Sequence, residues 1–224
     1  MKTFKKNPFE YNFTVALEIE KLAQYWFKRL DMECPEQNVA NRESIVKWLV
    51  ETDLHQFETL NSKELDITKE AMEYRYKILL QRYLGVSRER AYRNLITRLG
   101  SLVTSRHKVQ TWIPLSRDTH KLKPPADRQR IILDVLEKVI QELLETDNYI
   151  QQQIICISEF TTDSHLRNAL LFASLEEYSL RSVSNQPLLV YRFINYLRCH
   201  SLHLNSKSLR DRSCARGVNC FGHQ

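Results

Sequence analysis

Glycine occurs only four times in the 224-residue chain, and two of the four stand in the last eight residues. A fold rich in tight turns and hairpins draws on glycine repeatedly, because it supplies the positive φ that those turns require. Proline is also scarce, and apolar residues recur three and four apart over long stretches. These features predict an all-α protein, a multi-helix bundle of about seven to eight helices.

The periodicity places the helices. The first runs over 13–31 through Val15, Ile19, Leu22, Ala23, Trp26, Phe27 and Leu30, and Cys34-Pro35 ends it. A second starts near Asn41 as its N-cap and carries Ile45, Val46, Trp48, Leu49 and Leu54; a third spans about Thr68 to Leu84. Trp26, Trp48 and Tyr74 read as core. A fourth occupies 88–103. After a stretch holding Trp112, Pro114 and the pair Pro124-Pro125, which disfavours helix before it, Asp127 opens a long helix to Thr146. Asp147 caps the next, and Thr162-Asp163-Ser164 begins another. Asn185-Gln186-Pro187 reads as a helix start, proline being favoured at the first position. The expected organisation is a helical domain over 1–110, a linker over 111–126, a helical bundle over 127–199 and a disordered tail over 200–224.

Several function classes find no support in the residues. There is no glycine-rich phosphate loop, no CxxC pair and no HExxH. His120 near Asp118, and His165 near Asp163, have no nucleophile at a recognisable spacing. Cys156 sits on an apolar helix face, where it reads as a small hydrophobe. Cys199, His200, His203, Cys214, Cys220 and His223 match no common zinc-finger spacing. The expectation is therefore no catalytic residues, no metal and no cofactor. The five cysteines are odd in number and scattered, which fits a reducing compartment. No apolar run approaches bilayer length, and the basic N-terminus has no apolar segment after it, so a soluble cytoplasmic protein without a membrane partner is expected.

Charge is segregated. Residues 74–130 hold fourteen Lys and Arg against three Asp and Glu, a net of +11, whereas 1–73 carries −4, 131–180 carries −7 and 181–224 carries +6. A basic middle between acidic flanks is the footprint of a polyanion-binding surface. Glu176 and Glu177 are read here as part of the acidic surface.

Within the basic stretch, YRYKILLQRYLGVSRERAYRNLITRLGSLV (74–103) has the chemistry of a helix-turn-helix unit. Gly85 can take the left-handed conformation that ends the first helix. Val86 tucks into the corner, and Ser87 caps the second helix. Ala91, Leu95, Leu99, Leu102 and Val103 form an apolar stripe on that helix. Arg90, Arg93 and Thr97 lie opposite, with Glu89 and Tyr92 on the flanks and Arg88 in the first turn. The expected partner is double-stranded DNA. Arg90, Tyr92 and Arg93, with Thr97 beside them, reach base edges or sugar, and Arg82, Arg88 and Arg98 contact phosphates. Gln81 stands where the first helix of such a unit usually carries a small residue, which leaves its crossing angle open. The rival reading is a helical interaction module, in which the acidic helices of 131–180 dock a partner regulator or an RNA polymerase subunit.

The segments MEYRYKILLQRYLGVSRERAYRNLITRLGSLV (72–103), LEKVIQELLE (136–145) and LRNALLFASLEEYSLRSVSNQPLLVYRFINYLR (166–198) resemble the HetZ-related proteins of cyanobacteria, relatives of a regulator of heterocyst differentiation. The similarity covers most of 13–198. It implies a DNA-binding transcriptional regulator of cell differentiation, working alongside another differentiation regulator. Gly85, Val86, Ser87, Arg88, Arg90 and Arg93 match the family pattern. The family is expected to continue past the NYLR motif into a further helical region with a second helix-turn-helix. Here CHSLHLNSKSLRDRSCARGVNCFGHQ follows, without helical periodicity, so the chain reads as a shortened copy with an aberrant tail.

Overall fold

The protein is described from a computed structural model, which defines residues 8–51, 62–105 and 125–199. Among the described residues the chain is all-α. The helices are α1 (Pro8–Glu33), α2 (Val39–Glu51), α3 (Ser62–Ile78), α4 (Arg88–Thr104), α5 (Pro125–Thr146), α6 (Asn148–Phe160), α7 (Ser164–Leu180) and α8 over 188–199. A π-helical turn, Leu79–Tyr83, extends α3. No described helix is long and apolar enough to cross a membrane. Most of the expected linker, Leu54, and the tail with His200, His203, Cys214, Cys220 and His223 lie outside the described residues.

Local chemistry accounts for the helix ends, sometimes not where the periodicity put them. The cap of α2 is Asn38, not Asn41: Asn38 Oδ1 accepts from the Asn41 amide at 2.7 Å, which starts the helix a turn earlier. Pro125, not Asp127, opens α5, since proline's missing N–H costs nothing in a first turn. Asp147 caps α6 as expected, accepting from the amides of Tyr149 and Ile150. Asp163 does the same for α7, its Oδ1 2.8 Å from the His165 amide and 3.4 Å from that of Leu166.

Asn185-Gln186-Pro187 does not start a helix. Val183 pairs with Gln186 and Ser182 with Pro187 in a two-rung antiparallel hairpin. Its turn residues, Ser184 and Asn185, both have positive φ, 50° and 62°, as in the primed turns that suit hairpin twist. Leu188 then donates to the Arg181 carbonyl at 2.8 Å, closing the loop as α8 begins.

The chain divides into two compact units, each built from two separate stretches. One unit comprises 1–95 with 144–178, and the other 96–143 with 179–224. In the first, Trp26, Leu30, Trp48, Leu49, Tyr76, Leu79, Leu170 and Leu175 are buried. The Arg29 guanidinium lies 4.6 Å from the Tyr76 ring centroid and forks onto Glu73 at 2.5 and 3.1 Å, joining α1 to α3. Trp48 Nε1 donates to Ser174 Oγ at 3.0 Å, joining α2 to α7. In the second unit, Leu99 and Val103 of α4, Leu136, Val139 and Ile140 of α5, and Leu189 and Phe193 of α8 are buried.

Candidate nucleic-acid interface

The corner before α4 is built from the backbone outward. The Leu84 amide closes the π turn by donating to the Leu79 carbonyl at 2.9 Å. Gly85 follows with φ +73°, the left-handed conformation expected of it. Val86 is half-buried and Ser87 exposed. Ser87 Oγ accepts from the Arg90 amide at 3.4 Å, and its carbonyl accepts the Ala91 amide at 2.9 Å, so it caps α4. The carboxylate of Glu89 also turns back on this end. Its own backbone amide, then the Ser87 hydroxyl, hold its carboxyl below the usual range, with Arg88 and Arg93 contributing through their charge.

One face of α4 is anchored. Ala91, Leu95, Leu99 and Val103 are at most 2% exposed, while Leu102 is only half-buried. Asn94 Nδ2 donates to the Arg82 carbonyl at 3.0 Å, tying the helix back to the π turn. Tyr92 is half-buried with its ring 6.2 Å from that of Phe172, so its body serves packing. On the opposite side Arg90, Arg93 and Thr97 are exposed, as the 3.6-residue period requires. Arg88 is exposed too, although it shares the phase of the apolar stripe, because it lies in the open first turn. Arg93 Nε makes a long 3.4 Å contact with the Glu89 carbonyl. Arg98 is exposed on the later part of the helix.

Arg82 has a different place. Its guanidinium donates to Glu176 Oε1 of α7, and Tyr83 Oη donates to Glu176 Oε2 at 2.6 Å. Glu176 is fully buried, and Glu177 is 8% exposed, so neither belongs to an acidic surface. Burial works against the Arg82 charge, and the Glu176 carboxylate outweighs it and favours the protonated form. Burial, then the Glu176 charge, push the Tyr83 hydroxyl far above its ordinary pKa. Arg82 is thus taken by an internal carboxylate and stands apart from the exposed arginines. The signal for Glu176 was in the chain. It falls three residues after Ala173 and seven after Ala169, in phase with the buried stripe of α7.

No protein-family model, curated protein or solved structure matches the chain.

Proposed function

We propose that the chain is a non-enzymatic DNA-binding transcriptional regulator of HetZ-related type, acting in a cell-differentiation programme, with α4 as the helix that enters the major groove. The observation that carries this reading is the pairing of opposite faces on α4. Leu95 and Leu99 are fully buried, while Arg88, Arg90 and Arg93 stand exposed around the first turns. Planar guanidinium forks match the O6 and N7 acceptors of guanine and the oxygens of phosphate. Arg90 and Arg93 take the base edges and Arg88 a phosphate. Thr97 and Arg98 extend the same contact along the groove. Arg82 is left out, because its partner is Glu176.

The test is fluorescence anisotropy of labelled promoter and scrambled duplexes across a salt series. Binding should weaken steeply with salt, and Arg88→Ala should lower the log–log slope by about one. Absence of binding at low salt, or binding that Arg90→Ala with Arg93→Ala leaves untouched, overturns the proposal. The interaction-module reading rests on α5, which exposes Asp134, Glu137, Glu142 and Glu145. Co-purification of a partner regulator or polymerase subunit, without any DNA shift, would favour it.

A further inference from the structure

Beside the turn that precedes α4, wholly within the first compact unit, lies a half-open cleft of about 440 Å³. That volume is within the range of small-molecule sites, which pair apolar walls with a few placed polar groups. Leu84, Val86, Leu166 and Ala169 supply the apolar wall, and Asn41 and Asp163 the polar end.

The polar end is an acceptor site. Asp163 Oδ1 is occupied by two backbone amides of α7, at 2.8 and 3.4 Å. Among the described residues its Oδ2 accepts only from Asn41 Nδ2, at 3.2 Å. Asn41 divides that nitrogen between Asp163 and Gln37 Oε1, 3.4 Å away, and its Oδ1 sits on the same planar amide. Asp163 Oδ2 therefore keeps accepting capacity at the cleft, beside a side-chain amide that carries an acceptor oxygen of its own. Among the described residues no lysine or arginine lines the cleft; His165 does, and its charge also acts on the Asp163 carboxylate. Burial raises the Asp163 carboxyl, but the His165 amide, the Asn41 amide and the Leu166 amide together outweigh it, so the group stays ionised near neutral pH.

A ligand that answers this arrangement brings several N–H donors on one positive head. The geometry points to a binding site for a small organic cation, its primary ammonium or guanidinium head hydrogen-bonded by Asp163 and Asn41, its short apolar body against Val86, Leu166 and Ala169. Charge-assisted hydrogen bonds to a carboxylate are about twice as strong as neutral ones. The site is independent of the DNA reading, and its test contains no nucleic acid.

The experiment is a titration of the full ¹⁵N-labelled chain with benzylamine and benzylguanidine, followed by two-dimensional NMR, with benzyl alcohol as the neutral control. Both cations should shift the amides of 84–87 and 163–166 saturably. The alcohol should bind about tenfold more weakly or worse. Asp163→Asn should weaken the cations by a similar factor while keeping the α7 cap, since asparagine caps helices about as well as aspartate. No saturable shift, shifts centred elsewhere, equal binding of the alcohol, or unchanged binding to D163N would each overturn the proposal. Should D163N fail to fold, the charged-against-neutral comparison on the native chain decides alone.

Discussion

Arg82 and the group Arg88, Arg90 and Arg93 lie either side of one turn, yet their surroundings are opposite. Arg82 reaches inward to a carboxylate with no solvent exposure, and its chain neighbour Tyr83 uses the other oxygen of the same group. The later three stand in water at the open end of α4. Helical phase separates them. The π turn rotates Arg82 toward α7, whereas Ala91 and Leu95 occupy the inward side of the next helix and send Arg90 and Arg93 outward. Arg75, another of the fourteen basic residues, is 1% exposed. A charge count along a chain is therefore an upper bound on the field at its surface, and the part that can meet a polyanion is set by packing.

The largest effect that would break this contrast is on stability. Arg82→Ala should cost about 3–5 kcal/mol in urea denaturation, because it removes the guanidinium that partners the buried Glu176 carboxylate. Arg88→Ala, Arg90→Ala and Arg93→Ala should each stay within about 0.5 kcal/mol, as exposed substitutions do. If Arg82→Ala is as mild as the others, the internal role assigned to it fails. DNA affinity should show the reverse ranking. Arg90→Ala and Arg93→Ala should each cost about 1–3 kcal/mol of binding. In a competition against unlabelled duplex, the R82A protein, where still folded, should bind almost as the native chain does.

The two glycines flanking this region sharpen the comparison further. Gly85 has open space around its missing Cβ but holds φ +73°, so Gly85→Ala should cost about 1–2 kcal/mol from backbone strain alone. Gly100 lies inside α4, and a Cβ there would meet Leu133 and Leu136 at 3.6 and 3.8 Å, ordinary contact distances. Gly100→Ala should therefore stabilise by up to about 1 kcal/mol in thermal unfolding.

The smallest effect concerns acid. Hydrogen bonds from Arg29 come first among the causes that hold the Glu33 and Glu73 carboxyls below their ordinary value of 4.5. Both folded values are depressed, so this stabilisation is fully present above pH 4.5 and is lost as pH falls through the folded values. Solvent screens these partly exposed pairs, so the contribution should be below about 1 kcal/mol. Arg29→Met should flatten the acid limb of a stability–pH curve, and an unchanged limb would remove the assignment.

Much of the scaffold was legible in the residues, because the cues act over one helical turn. The 3.6-residue recurrence of Leu95, Leu99 and Val103, the cap at Asp147, the helix start within 162–164, and glycine at 85 each depend on neighbours close in the chain. Element boundaries were less so. Asn38 and Asn41 are equally good caps by type, and only the formed helix shows which one accepts the amide. The hairpin at 182–187 was missed because Ser184-Asn185 is a weak version of a primed turn, and the proline beside it argued for a helix start.

The residues alone determined the helical class and the two-faced character of α4, since periodicity and turn chemistry are local properties of a chain. Tertiary structure decided which charges are free. Whether Glu176 faces water or Arg82, and whether Asn41 meets Asp163 across a cleft, depends on elements far apart in sequence coming together. No local pattern encodes such pairs, because the energy that makes them, burial with a matched partner, exists only once the core has formed.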